Sequence, residues 1–166
     1  MSIVLWSLLP LAFCLFSCRI NYSMSGKSAS DLKTTTIRFF PINAPLVKPT
    51  VGQIFTEALR DIMTSQGKLD LVSSGADIIF EGNISGYQTN PVVIQSSDLP
   101  AQNRLTISIQ VKVTYPKTPT KNFETSFSRF ADYNSSLSLA SVEDQLIKDI
   151  VDQLVQDVFN KTMQDW

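Results

Sequence analysis

Apolar and polar residues alternate along three stretches of the chain, and this pattern predicts β-strands. The most regular stretch, Leu105–Tyr115, has an apolar residue at every second position. Since successive side chains of a strand point to opposite faces, one face of this strand should be buried and the other hydrated. Asp77–Gln88 alternates in the same way. Asn122–Tyr133 changes its aromatic parity between Phe127 and Phe130, which predicts a bulge or a twist.

The remaining extended segments are predicted from residue type and from turn signals. Leu32–Phe40 is rich in β-branched and aromatic residues and is the predicted first strand, and Leu69–Val72 is a short extended piece. Gly82 and Gly86 fall on the apolar face of their strand, where a missing side chain allows a helix to approach closely or a bulge to form. Thr89–Gln102 contains two prolines and is predicted as a long irregular loop, a kind of segment that is often functional.

Apolar residues recur with the period of an α-helix in two other stretches. The first predicted helix spans Thr50–Gln66. Thr50 and Gln53 have the spacing of a capping box, in which each side chain bonds the backbone N–H of the other residue. Gly67 follows and is expected to end the helix in the left-handed conformation, which glycine enters at little cost.

The second predicted helix, Ser138–Asp165, closes the chain. Ser141 and Asp144 resemble a capping arrangement near its beginning. Acidic residues outnumber lysines on its outer face, which is therefore expected to be solvated.

The order of elements is thus β-α-β-β-β-α, and it predicts an α+β two-layer sandwich. Two amphipathic helices need one sheet face to cover, so both should pack on the same face of a roughly four-stranded mixed or antiparallel sheet. The last three strands should form an antiparallel meander, and the first strand, which precedes a helical crossover, is a candidate for parallel pairing. The opposite face carries polar residues and should be wet or meet a polar partner.

The N-terminus has the pattern of a bacterial lipoprotein signal. A short apolar run ends in Leu15-Phe16-Ser17-Cys18, which is similar to a lipobox. This predicts a signal peptide over residues 1–17, a lipid on Cys18 as the first residue of the mature protein, a flexible lipidated leader over 18–30 and a single domain over 31–166. The first basic residue is Arg19, so a positive n-region is missing, and a transmembrane anchor and a conventional signal with a free cysteine remain alternatives.

The amino-acid composition argues against several kinds of functional site. The chain has no histidine, and its only cysteines are Cys14 and Cys18, so no Ser-His or Cys-His pair, disulfide or cysteine metal site is expected in the mature protein. The formal net charge of -1 offers no general basic field for nucleic acid. A hydrophobic content of 43% against 17% charged residues is typical of a globular domain that is stabilised by packing.

Paired carboxylates are the only catalytic groups left to consider. Asp70 with Asp77, or Glu81 with Asp132, could converge in the fold, but no spacing among them matches a metal-binding loop. Isolated surface acids are the favoured interpretation. No catalytic residue, no metal and no cofactor other than the covalent lipid on Cys18 is therefore expected.

Cys18 and several sequence segments of the mature chain resemble those of a known family. In chain order, the segments are YSMSG, TTTIRFFPINAP, FTEALRD, NRLTISIQVKVTY, NFETSFSRFADY and EDQLIKDIVDQLVQDVFNKTMQDW. Together they resemble the LptE family in its Bacteroidetes-type form, over nearly all of residues 18–166. The resemblance implies two helices on a four-stranded sheet, in agreement with the architecture that the periodicity predicts.

The resemblance also implies a function. The protein would be a non-enzymatic, lipid-anchored outer-membrane lipoprotein that faces the periplasm. It would sit as plug and assembly partner in the lumen of an LptD-type β-barrel, and it would bind lipopolysaccharide on its way to the outer leaflet. The alternative is a generic surface-tethered binding lipoprotein with another periplasmic partner.

A contact surface is proposed from loop length and from the polar strand face. Lys112 and Arg129, on neighbouring predicted strands, are candidates for contact with anionic groups. The residues proposed to touch the barrel or lipopolysaccharide are Val92, Val93, Ile94, Ser108, Gln110, Lys112 and Arg129.

We expect the intact mass of the membrane-extracted protein to show a chain that begins at Cys18 and carries added acyl mass. A mature chain of that length without acyl mass would contradict lipidation. A Cys18→Ala variant is the control, and it should lack both the processing and the added mass.

Overall fold

The computed structural model describes residues 32–45, 47–92 and 101–164. Five strands and two helices follow in the order β1 (Thr34–Ile37), α1 (Val51–Ser65), β2 (Asp70–Leu71), β3 (Ile78–Val92), β4 (Gln102–Thr114), β5 (Phe123–Asn134) and α2 (Leu139–Gln164). A single 3-10 turn, Pro119–Lys121, lies between β4 and β5. The predicted signal peptide, Cys18 and the leader lie outside the described residues.

The sheet has the order β2-β1-β3-β4-β5. The predicted meander is confirmed, because β3, β4 and β5 pair antiparallel. The parallel pairing of the first strand is also confirmed, because β1 runs parallel to β3. The short extended piece becomes β2, a fifth strand at the edge of the sheet that pairs in parallel with β1.

Both helices pack on one face of this sheet, as the two apolar stripes require, so the predicted α+β sandwich is confirmed. The largest fully buried side chains come from the β1–α1 connection, both layers and the end of β4, and include Phe40, Phe55, Phe80, Leu59 and Tyr115. Each fully buried apolar side chain stabilises the fold by about 1.5–3 kcal/mol relative to its exposed state. The core therefore joins the helical layer to one face of the sheet and leaves the other face outside.

The prediction of an irregular loop over Thr89–Gln102 is wrong at both ends. β3 continues to Val92 and β4 begins at Gln102, and these two residues pair with each other. Pro91 lies inside β3 without ending it. Among the described residues, β1 pairs with residues 78–80 of β3 and Ile42 forms an isolated bridge with Ile84. Beyond Ile84 the described neighbour of β3 is therefore β4 alone, and a residue without an N–H is tolerated there.

A bulge does occur in the sheet, but in β3 rather than in β5. The register between β3 and β4 shifts between Ile84 and Gly86, as the glycine pattern allowed. The extra residue turns Tyr87 toward the helical layer, where its hydroxyl donates a hydrogen bond to Glu143 of α2. Burial, followed by this carboxylate, raises the pKa of Tyr87.

The predicted bulge between Phe127 and Phe130 is wrong, because β5 pairs with β4 in one continuous register. The change in aromatic parity has a simpler cause. Phe127 packs against the core, whereas Phe130 lies on the opposite face of the sheet and is 47% exposed.

The ends of α1 also differ from the predictions. Thr50 already has helical backbone angles and makes no capping hydrogen bond, and Gln53 donates instead to Glu57, so the capping box is wrong. The left-handed residue after the helix is Lys68, with φ of 52°, rather than Gly67. Gly67 is required for space, because a Cβ there would lie 2.6 Å from the Met63 carbonyl oxygen.

The capping arrangement predicted at Ser141 is also wrong. α2 begins at Leu139, so Ser141 lies inside the first turn and its hydroxyl donates to the Ser138 carbonyl. Asp144 instead forms an ion pair with Lys48 of the loop before α1. The outer face of α2 is therefore solvated only in part.

We expect Gly82→Ala to lower the free energy of unfolding by at least about 2 kcal/mol, because overpacking against a rigid neighbour is costly. A Cβ at Gly82 would lie 2.0 Å from the Gln110 carbonyl oxygen and 2.5 Å from Cε1 of Phe40. Urea unfolding measures the change. Gly86→Ala is the control, since its Cβ would come no closer than 3.1 Å, to Ser108 Cβ. Equal losses in the two variants would contradict this account.

Candidate functional site

The face of the sheet that points away from the helices is the candidate site, and we call it the polar sheet face. Along β4 every second residue from Gln102 to Lys112 lies on this face, and each is half-buried or exposed. The residues between them, from Leu105 to Val113, are fully buried against the helices. The alternating side chains of β4 therefore give the sheet one buried face and one hydrated face.

Side chains of the polar sheet face bond across the strands. Ser108 donates to Ser128 over 3.0 Å, and Gln110 donates to Glu124 over 2.7 Å. Arg38, just after β1, forms an ion pair with Glu81 of β3. The face is thus a hydrogen-bonded surface rather than a set of independent side chains.

Arg104, Phe130 and Asp132 form a connected group on this face. The Arg104 guanidinium donates two hydrogen bonds to the Asp132 carboxylate, of 2.7 and 2.9 Å, in the bidentate geometry that favours an arginine. The same guanidinium lies 3.6 Å from the centre of the Phe130 ring. The hydrogen bonds from Arg104 lower the pKa of Asp132.

The charges of the polar sheet face are balanced. Lys112 lies opposite Glu81 on one neighbouring strand and Glu124 on the other. It forms no ion pair with any residue that the structure describes. The face therefore offers many donors and acceptors and little net charge.

The structure places four of the seven proposed contact residues on one face of the sheet. Ser108, Gln110 and Lys112 lie on the polar sheet face, and Val92 lies at its far end by the pairing of β3 with β4. Val93 and Ile94 lie outside the described residues.

Arg129 lies on the other side of the sheet from Lys112. It donates two hydrogen bonds, of 2.6 and 2.7 Å, to Asp157 of α2. The two cations therefore do not form one anion site, although they are on neighbouring strands.

Sequence reasoning missed the group that Arg104, Phe130 and Asp132 form, and it considered Asp132 only as a partner of Glu81. The signal for Arg104 was present, because it has the same parity as Ser108 in the alternating stretch. Phe130 was assigned to a bulge instead of to the outer face, and this hid the aromatic partner of Arg104.

The two carboxylate pairs considered for catalysis differ in their placement. Asp70 and Asp77 flank β1, because Asp70 pairs with Thr34 and the Asp77 carboxylate accepts hydrogen bonds from Thr34, but that carboxylate is already engaged by these donors and by Lys117. Glu81 and Asp132 lie opposite Lys112 and Arg104, which are eight residues apart on β4, or roughly 27 Å at the rise of a strand.

Asp77 has a structural role. Its carboxylate accepts hydrogen bonds from the amides of Lys33 and Thr34, over 3.0 and 3.1 Å, and from the Thr34 hydroxyl over 2.9 Å. The Lys117 ammonium of the β4–β5 connection donates to it over 2.6 Å. These donors, Lys117 first, hold the pKa of Asp77 well below its usual range.

Residues 32–45, 47–92 and 101–164 contain no group of three potential metal ligands. No helix within these ranges is both long enough and apolar enough to cross a membrane. An open depression of about 580 Å³ lies beside β1 and β2, between Phe39, Arg60 and Leu71.

A two-layer domain with one uncovered polar sheet face is an architecture suited to binding. The sequence model of the LptE family, described as lipopolysaccharide-assembly, matches residues 32–162. The chain therefore belongs to the LptE family of lipopolysaccharide-assembly lipoproteins. A comparison with curated proteins found no match.

Solved structures with the same fold are only distantly similar in sequence. The crystal structure of a minor lipoprotein from Acinetobacter baumannii matches with a TM-score of 0.54 and 11% identity, over 79% of this chain and 92% of that one. A protein from Xanthomonas campestris matches with a TM-score of 0.50 and 11% identity, over 81% of this chain and 87% of that one. At this identity the likeness shows the fold alone.

We expect Asp77→Asn to lower the free energy of unfolding by about 2 kcal/mol at neutral pH, because hydrogen bonds to a charged group are lost. The folded pKa of Asp77 lies below the unfolded value of about 4, so its contribution is complete above that value and is lost as the pH falls toward the folded pKa. Chemical denaturation at pH 7 and pH 3 should therefore show a smaller difference from the parent at pH 3. Asp70→Asn is the control, and an equal difference at both pH values would refute this role.

Proposed function

We propose that this protein is the lipid-anchored plug and assembly partner of an LptD-type β-barrel in the outer membrane. It faces the periplasm, carries its lipid on Cys18, and helps lipopolysaccharide to reach the outer leaflet. The role is one of binding, with no catalytic step. The observation that carries the proposal is the polar sheet face, which no described element of the chain covers.

The size of this face supports a protein partner. Twelve residue pairs join β4 to β5. At about 3.4 Å per residue and 4.8 Å between strands, the meander presents a surface roughly 40 Å long and 15 Å wide with its side chains. This is about 600 Å², close to the roughly 800 Å² per partner of a standard interface.

The chemistry of the face supports a polar, hydrated wall as that partner. A barrel interior that faces water carries polar side chains, and it would be matched by hydroxyl and amide groups such as Ser108 and Gln110. The ion pairs Arg38–Glu81 and Arg104–Asp132 satisfy their own charges. They can therefore be covered without leaving an unpaired charge, which would cost several kcal/mol.

Lipopolysaccharide contact is proposed at Lys112. Its ammonium forms no ion pair with the described residues, so it can meet a phosphate without first breaking one. Because the polar sheet face has little net charge, a single cation of this kind gives lipopolysaccharide only a limited contact. The barrel is therefore the main partner of the face, and lipopolysaccharide is a secondary one.

The proposal is tested with a photo-crosslinking amino acid at Ser126, an exposed position of β5 on the polar sheet face. We expect an adduct with a large β-barrel protein in the native membrane. The same amino acid at Ser65, exposed on α1, is the control and should give no barrel adduct.

Two results would change the conclusion. A barrel adduct at Ser65 but not at Ser126 would assign the contact to the helical layer. Failure of any barrel to co-purify with the lipidated protein would favour a binding lipoprotein with another periplasmic partner.

A further inference from the structure

Five lysines gather at one end of the molecule, which we call the lysine end: Lys33, Lys68, Lys117, Lys121 and Lys161. The described carboxylates beside them are Asp70, Asp77 and Glu124. The rest of the described chain carries seven basic and nine acidic residues. A chain with almost no net charge is therefore divided into a positive end and a negative remainder.

The fold itself brings these lysines together. Asp70 donates its amide to the Lys33 carbonyl over 2.8 Å, so Lys68, two residues earlier, lies beside the start of β1. Asp77 joins the Lys33 amide to the Lys117 ammonium.

The remaining two lysines are fixed on the same side. Lys121 lies in the 3-10 turn of the connection that also holds Lys117. The Lys161 ammonium, near the end of α2, lies 5.7 Å from the ring centre of Phe123, the first residue of β5.

The lysine end is also where the chain continues toward its predicted lipid. Leu32 immediately precedes Lys33, and residues 18–31 connect it to Cys18. At about 3.3 Å per residue these fourteen residues span at most roughly 45 Å. Val92, at the other end of β3, is about 45 Å from Ile78 along the strand.

We propose that the lysine end docks on the anionic phospholipid headgroups of the membrane that holds the Cys18 lipid. This rests on the lipid anchor of the proposed function, and it adds a second contact and an orientation. Lysines near an anionic bilayer are each attracted by about 1 kcal/mol, within a Debye length of about 8–10 Å. The acidic remainder of the domain is repelled by the same surface, so the long strands point away from the bilayer.

The first test measures partition of the mature chain carrying Cys18→Ser into sedimented vesicles. Vesicles of phosphatidylethanolamine with phosphatidylglycerol are compared with vesicles of phosphatidylcholine. We expect binding to the anionic vesicles alone, and loss of that binding in 0.5 M salt. The combined substitutions Lys33→Gln, Lys68→Gln and Lys121→Gln should weaken it about a hundredfold, at about 1 kcal/mol per lysine.

The control variant combines Lys48→Gln, Arg60→Gln and Lys148→Gln, which removes the same charge away from the lysine end. It should bind much like the parent, and thermal unfolding should show both variants folded. Equal weakening in the two variants would overturn the proposal, because it would show a response to net charge alone. Equal binding of the parent to both kinds of vesicle would overturn it as well.

The second test uses the lipidated protein and maps which lysines a water-soluble amine reagent modifies. Lys68 and Lys121 should react several times more slowly on anionic than on neutral vesicles, whereas Lys148 should react equally on both. Equal rates for Lys68 and Lys121 on the two surfaces would overturn the proposal. Absence of acyl mass on Cys18 would instead refute the lipid anchor of the proposed function. The partition experiment uses a chain without the lipid, so it tests the docking of the lysine end separately.

Discussion

The strict alternation of β4 is the constraint on which the rest of the structure depends. Its buried side chains, from Leu105 to Val113, give α2 a surface to cover beside the strands on which α1 packs, and their removal from water supplies much of the driving force for folding. The intervening residues cannot be buried by the same event, because they point the other way. The fold therefore creates its candidate binding surface by the same pattern that creates its core.

Charged side chains have different partners on the two faces of the sheet. On the polar sheet face, Arg104 and Asp132 satisfy each other beside an exposed aromatic ring. On the helical side, Arg129 reaches α2 and ties the edge strand β5 to Asp157. A basic residue in an alternating strand thus has one of two roles, and the sheet face to which its side chain points decides which. Lys112 points to the polar sheet face and can contact a ligand, whereas Arg129 points to the helices and is already bonded to Asp157.

The elements that depend on local pattern were predictable from the sequence. Both helices, the meander and the parallel first strand follow from periodicity and from the need of each apolar stripe for cover. The polar character of the face around Ser108 and Gln110 follows from the same pattern. The bilateral pairing of β4 then fixes these residues in the middle of the surface.

What the sequence did not reveal depends on pairing between distant residues. The extension of β3 to Val92 arises from its ladder with β4, against the local signal of Pro91. The capping box failed because Thr50 has helical backbone angles, which no residue type specifies. The Arg104–Phe130–Asp132 group requires the register of β4 with β5, and that register is set across 28 residues of chain.

The bulge between Ile84 and Gly86 has a consequence for how the family can vary in length. Before it, even-numbered residues of β3 face the helices, and after it odd-numbered residues such as Tyr87 do so. Loss of one residue here would reverse the facing of every residue in the distal half of the strand, and it would move Tyr87, with its hydrogen bond to Glu143, to the polar sheet face. The part of the β3–β4 pair beyond the bulge can therefore change length most easily by two residues per strand at a time. The bulge itself can neither gain nor lose a single residue without a compensating change.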